Sequence, residues 1–93
     1  MTEQAPSERL AELRREIDEI DARIVALLDR RAAVASDIGS RKAAAGIASP
    51  FDQAREEEVL RRVRNARCGP FPEDVLLELY RGIITACRNL QNG

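Results

Sequence analysis

Apolar residues recur at Leu10, Leu13, Ile17, Ile20, Ile24, Leu27, Leu28, Val34, Ile38 and Ala45. These intervals of three and four residues trace one face of a helix over about ten turns. The spacing predicts a first helix over about 7–45, with Ser7 as its N-cap, Gly46 as the residue just past its end and Pro50 beyond. On its outer face Glu19–Arg23 and Asp37–Arg41 form favourable i,i+4 pairs. Gly39 alone interrupts the helical composition, at roughly 1 kcal/mol against Ala. A loop, Ile47-Ala48-Ser49-Pro50-Phe51, leads to a second helix over about 52–67, opening at Asp52 or at Ser49 with Pro50 in the first turn. That helix turns Val59, Leu60 and Val63 inward. Cys68-Gly69-Pro70-Phe71-Pro72 ends it, and a third helix over about 73–91 buries Leu76, Leu79, Tyr80, Ile83, Ile84, Cys87 and Leu90. No alternating strand pattern occurs, so the fold class is all-α, three helices in a single domain over 1–93.

Length then changes the picture. A helix of about 36 residues is roughly 54 Å long, whereas a compact domain of about 100 residues has a radius of gyration near 13 Å. Two short helices cannot cover such a stripe. The expected assembly is an intertwined homodimer, obligate for stability.

Charge changes it again. Arg14, Arg31 and Lys42 lie on or beside the apolar stripe, where a cation needs a partner. Arg15 falls off it, so Arg14 is the inward member of that pair. On the second helix, Arg55 and Glu56 precede Val59 by four and three residues, and on the third Gln91 follows Cys87 by four. Four inward cations face one inward carboxylate. That surplus suits a dicarboxylate ligand, with Arg giving planar bidentate contacts and Lys a point charge.

Composition narrows the chemistry. There is no His, which removes imidazole acid–base catalysis and the commonest metal ligand. Cys68 and Cys87 have neither CxxC spacing nor a His partner, so no metal site and no cofactor are expected. They read as reduced thiols. A net charge of −1 argues against nucleic-acid and acidic-membrane binding, and the basic run Arg61–Arg67 reads as a solvated helix end. No apolar run approaches the length of a membrane span, and residues 1–6 have no signal-peptide character. The expected compartment is the cytoplasm.

Five stretches carry a resemblance. Leu13-Arg14-Arg15-Glu16-Ile17-Asp18-Glu19-Ile20-Asp21, Ala26-Leu27-Leu28-Asp29-Arg30-Arg31 and Ile38-Gly39-Ser40-Arg41-Lys42 together resemble the first helix of the all-helical (AroQ-type) chorismate mutases. Phe51-Asp52-Gln53-Ala54-Arg55-Glu56 is similar to the D-x-x-R-E opening of that family's second helix. Tyr80 to Gln91 is similar to its last helix, especially in mutase–prephenate dehydratase fusions, so the chain is either free-standing or the mutase domain of such a protein. The likeness covers about residues 8–91.

The resemblance implies a Claisen rearrangement of chorismate to prephenate, in aromatic amino-acid biosynthesis, without nucleophile or general base. It assigns Lys42 and Gln91 to the breaking ether oxygen, and Arg31, Arg55 and Arg14 of the partner subunit to substrate carboxylates. Glu56 and the backbone at Asp52 would hold the ring hydroxyl, Ile38 and Ile84 would line the ring, and Cys87 falls where relatives offer a small residue to a carboxylate. Three alternatives stay open: an isochorismate-pyruvate lyase, an aminodeoxychorismate mutase, and a non-catalytic helical dimerisation module. Glu56 beside Arg55 favours the mutase over the lyase.

Overall fold

The computed structural model describes residues 4–47 and 52–91. It contains three helices, α1 (Pro6–Ala44), α2 (Gln53–Ala66) and α3 (Glu73–Gln91), and no strand among the described residues. The start of α1 differs from the expectation. Pro6, not Ser7, opens the helix, and the Ala5 carbonyl accepts the first bond, from Arg9 N at 3.0 Å. Proline suits this position because its missing N–H would have had no intrahelical partner. At the other end, Gly46 has φ 78°, Gly46 N donates to the Ala43 carbonyl at 3.1 Å, and Ile47 N donates to the Lys42 carbonyl at 2.8 Å. These are the two bonds of a Schellman cap, which only a residue at ease with positive φ makes cheaply. The expected loop from Ala48 to Phe51, with Ser49 and Pro50, lies outside the described residues.

The chain divides into two compact units, residues 1–30 and 31–93. In the first, every described residue except Glu12 is exposed. Its apolar side chains stay in water: Ile17 is 56% exposed, Ile20 and Ile24 are each 50%, and Leu27 is 62%. Arg9 pairs with Glu12 at 3.3 Å, and Gln4 also donates to Glu12. No ion pair joins Glu19 to Arg23 among the described residues.

In the second unit, α2 packs against α3, and the C-terminal part of α1 also meets α3. Asp52 caps α2: its carboxylate Oδ1 accepts from Arg55 N and its carbonyl accepts from Glu56 N, each at 3.0 Å. Arg67 gathers the turn between α2 and α3. Its Nη1 donates to the carbonyls of Gly69 and Phe71 at 3.3 Å, and its Nη2 lies 4.0 Å from Glu73.

The buried apolar residues are Ala35, Leu77, Ile84 and Cys87. Leu77 replaces two expected core residues, since Leu76 is only half-buried and Leu79 is exposed, as is Leu90. On α3, Leu77, Ile84 and Cys87 share the face turned to the other helices. Leu79 and Leu90 lie off that face.

At the α1–α3 crossing sits Gly39, itself buried. A Cβ there would stand 2.7 Å from Gln91 Cα, 2.9 Å from its carbonyl oxygen and 3.0 Å from its Cβ. The apparent blemish in α1 is therefore the place where two backbones touch.

Candidate active site

A cavity of about 380 Å³ opens within the second unit. Its wall is formed by Arg31, Val34, Ala35, Ile38 and Lys42 of α1, Asp52 at the start of α2, Arg55, Glu56 and Val59 of α2, and Ile84, Cys87, Arg88 and Gln91 of α3. Nine of the ten residues singled out from the sequence thus come together here. Arg14, the tenth, belongs to the first unit and is exposed.

Each polar group has a local reason for its place. Lys42 lies in the last turn of α1, just before the Schellman cap. Its Nζ donates to Gln91 Oε1 across a long 3.5 Å contact. With the amide oxygen turned to the ammonium, the Gln91 NH2 is the group left to donate to a ligand. The close passage at Gly39, one turn before Lys42, brings the two together. Arg31 is half-buried, its guanidinium 5.9 Å from the Tyr80 ring centre, a cation–π contact that steadies a long side chain. Arg55 is exposed and reaches Glu58 at 3.2 Å, while Glu58 also holds Arg62 at 2.7 Å. Asp52 spends one carboxylate oxygen on capping α2, which sets the direction in which Arg55 and Glu56 emerge.

Arg88 was not among the residues read from the sequence. Its Nη1 donates to both oxygens of Glu56, at 2.9 and 3.1 Å. A signal for it existed: Arg88 follows Ile84 by four and precedes Gln91 by three, which puts it on the same α3 face. Val34, Ala35 and Val59 complete the apolar wall and carried no chemical signal of their own.

With Arg88 included, four cations and two carboxylates line the cavity, leaving a net positive charge of about two. The floor is apolar: Ile84 and Cys87 are 7% and 6% exposed. Such a site can attract a dianion by charge and offers it an apolar surface at Ile84. Among the described residues it contains no nucleophile paired with a base, and no cluster of His, Cys, Asp or Glu that could hold a metal ion. The chemistry it supports is orientation and stabilisation of developing negative charge.

Known proteins resemble this chain over most of its length. The profile of the family Chorismate mutase type II matches residues 13–92. The bifunctional chorismate mutase/prephenate dehydratase of Aquifex aeolicus is 41% identical over 87 residues, which are 90% of this chain and 24% of that protein. The corresponding bifunctional protein of Neisseria gonorrhoeae is 37% identical over 90% of this chain and 22% of its own length. The chain spans about a quarter of the length of these relatives. The intracellular chorismate mutase of Mycobacterium tuberculosis is 37% identical over 87% of this chain and 74% of its own length. Among solved structures, a form II chorismate mutase from Thermus thermophilus superposes with a TM-score of 0.84 at 32% identity, covering 90% of this chain and 94% of that one. A family profile spanning nearly the whole chain, similar relatives and a shared three-helix fold converge: this chain belongs to the chorismate mutase type II family.

Proposed function

We propose that this chain forms one catalytic domain that converts chorismate to prephenate as a homodimer with two shared sites. The observation that carries the activity is the dianion-sized surplus of positive charge in a cavity where Lys42 and Gln91 meet. In the rearrangement the ether C–O bond breaks as a C–C bond forms, and no proton is transferred. The protein's task is to hold the folded diaxial conformer and to stabilise the charge growing on the ether oxygen. Lys42 Nζ and the Gln91 amide donate to that oxygen. Arg31 and Arg55 bind the substrate carboxylates, and Cys87 lies against one of them. Glu56 accepts from the ring hydroxyl, with the backbone at Asp52 beside it, and Ile38 and Ile84 flank the ring.

The dimer is supported by the exposed apolar stripe of the first unit, too large a set of Leu and Ile to leave in water. In the dimer Arg14 enters the partner's cavity and adds a further carboxylate contact. No helix among the described residues is long and apolar enough to cross a membrane. The relative named intracellular supports action in the cytoplasm.

The activity is tested by incubating the protein with chorismate and following loss of its ultraviolet absorbance while prephenate accumulates. Isochorismate and 4-amino-4-deoxychorismate, assayed in parallel, separate the lyase and amino-mutase alternatives. No turnover of any of them would leave the non-catalytic module. The shared site is tested by mixing Arg14→Ala with Lys42→Ala protein under conditions of subunit exchange. Activity should reappear, because one site of the heterodimer retains both residues. Proven exchange without recovery would remove Arg14 from the partner's site.

A further inference from the structure

Of the four cations lining the cavity, Arg88 has no role in the mechanism above. Yet it holds Glu56 at 2.9 Å, across 32 residues of chain and with both side chains about three-quarters buried. We propose that Arg88 is a positioning and specificity-determining residue: it fixes the Glu56 carboxylate at the cavity wall and cancels its charge, so that the site selects a ring hydroxyl over a ring ammonium. The proposal rests on the mutase reading and names the substrate class of that site.

A carboxylate has about four lone-pair sites on its two oxygens. Arg88 occupies one on each, through a single guanidinium nitrogen. Acceptor capacity remains, so Glu56 can still take a hydrogen bond from a hydroxyl. What it has lost is net charge. A neutral hydroxyl needs only the acceptor, and its binding is scarcely altered by the guanidinium behind it. A ring ammonium would need an uncompensated anion, because its gain over a hydroxyl is the charge attraction itself, and Lys42 lines the same cavity. With the Arg88–Glu56 pair closed, its attraction to Glu56 is offset by repulsion from Arg88. Taken alone, Glu56 suits an amine; paired, it suits an alcohol.

The experiment measures kcat and KM for chorismate and for 4-amino-4-deoxychorismate with the whole chain and with its Arg88→Met, Arg88→Gln and Arg88→Lys variants. Circular dichroism and sedimentation check that each variant folds and assembles like the parent. Removing the charge should raise kcat/KM for the amine relative to chorismate on the order of tenfold, chiefly through the KM of the amine. Arg88→Lys restores the charge without the planar fork, and should leave the ratio near that of the parent. Arg88→Gln, close to Arg88 in polarity, serves if the methionine variant does not fold. Equal losses on both substrates, with the ratio unchanged in the neutral variants, would reduce Arg88 to a structural ion pair and overturn the proposal alone. No chorismate turnover by the parent protein would overturn the mutase reading, and this proposal with it.

Discussion

Two stretches of α1 carry the same alternation of apolar and polar residues and meet opposite fates. From Leu10 to Leu28 the stripe is built of Leu and Ile, and those side chains are 37% to 62% exposed. From Arg31 to Ala44 the closest packing is made by the smallest residues, Ala35 at 6% exposure and Gly39 against Gln91. Large side chains keep a neighbouring helix at ordinary distance and offer area to a partner; small ones let backbones touch and fix a distance. One segment is an uncovered apolar face. The other is a gauge for the site.

The largest expected effect tests the first half of that contrast. If a second chain covers Ile20 and Ile24, the double variant Ile20→Ala/Ile24→Ala should lose about 2–5 kcal/mol per site, the cost of emptying a packed core. The dimer should dissociate, and its melting temperature should rise with protein concentration. A variant that melts and sediments like the parent would mean that the stripe stays in water.

Next in size is Lys42, in the second half. Removing a preorganised donor from developing charge costs about 2.7–4 kcal/mol, or roughly 10²–10³ in kcat. Lys42→Ala should show that loss with folding intact. Arg41→Ala is the control, because the Arg41–Asp37 pair is 79% and 63% exposed at its two side chains and such pairs contribute about 0–1 kcal/mol. Equal losses at both positions, or a Lys42 effect confined to KM, would put the wrong cation at the ether oxygen.

The smallest effects compare two glycines. Gly39→Ala forces a methyl against the Gln91 backbone and should cost about 1–3 kcal/mol, with a fall in kcat that largely disappears in a Gln91→Ala background. Gly82 lies within α3 with nothing within 4 Å of a Cβ. Gly82→Ala should therefore gain up to about 1 kcal/mol through helix propensity. A loss at Gly82 in thermal unfolding would instead place a second chain against that face.

Much of this was legible beforehand because it depends on local chemistry. Gly46 had to end α1 once its φ was positive, and Asp52 is a cap wherever a helix begins beside it. Arg31 and Lys42 stood out because a charge on an apolar stripe contradicts its surroundings, and both line the cavity, whereas Arg14, chosen on the same ground, is exposed. Arg88 escaped because its neighbour in sequence, Cys87, drew the inward face, and because its partner Glu56 lies on another helix. Leu77 was passed over for Leu76 and Leu79 because three leucines within four positions fit more than one helical phase, and only tertiary packing chooses between them. The meaning of Gly39 was hidden for a related reason. Propensity reports what a glycine costs its own helix; only the crossing helix reveals what the missing side chain permits.

That crossing has a consequence for motion. Exposed side chains change rotamer within picoseconds to nanoseconds, whereas packed helices shift past one another over microseconds or longer. Lys42 and Gln91 are long, flexible residues, and a gap set by their own rotamers would widen and close at the faster rate. Because main chain rests on main chain beside Gly39, the bases of both side chains are held through each fast excursion, and only their tips wander. The two side chains are thus of mobile residue types yet anchored on a slow clock.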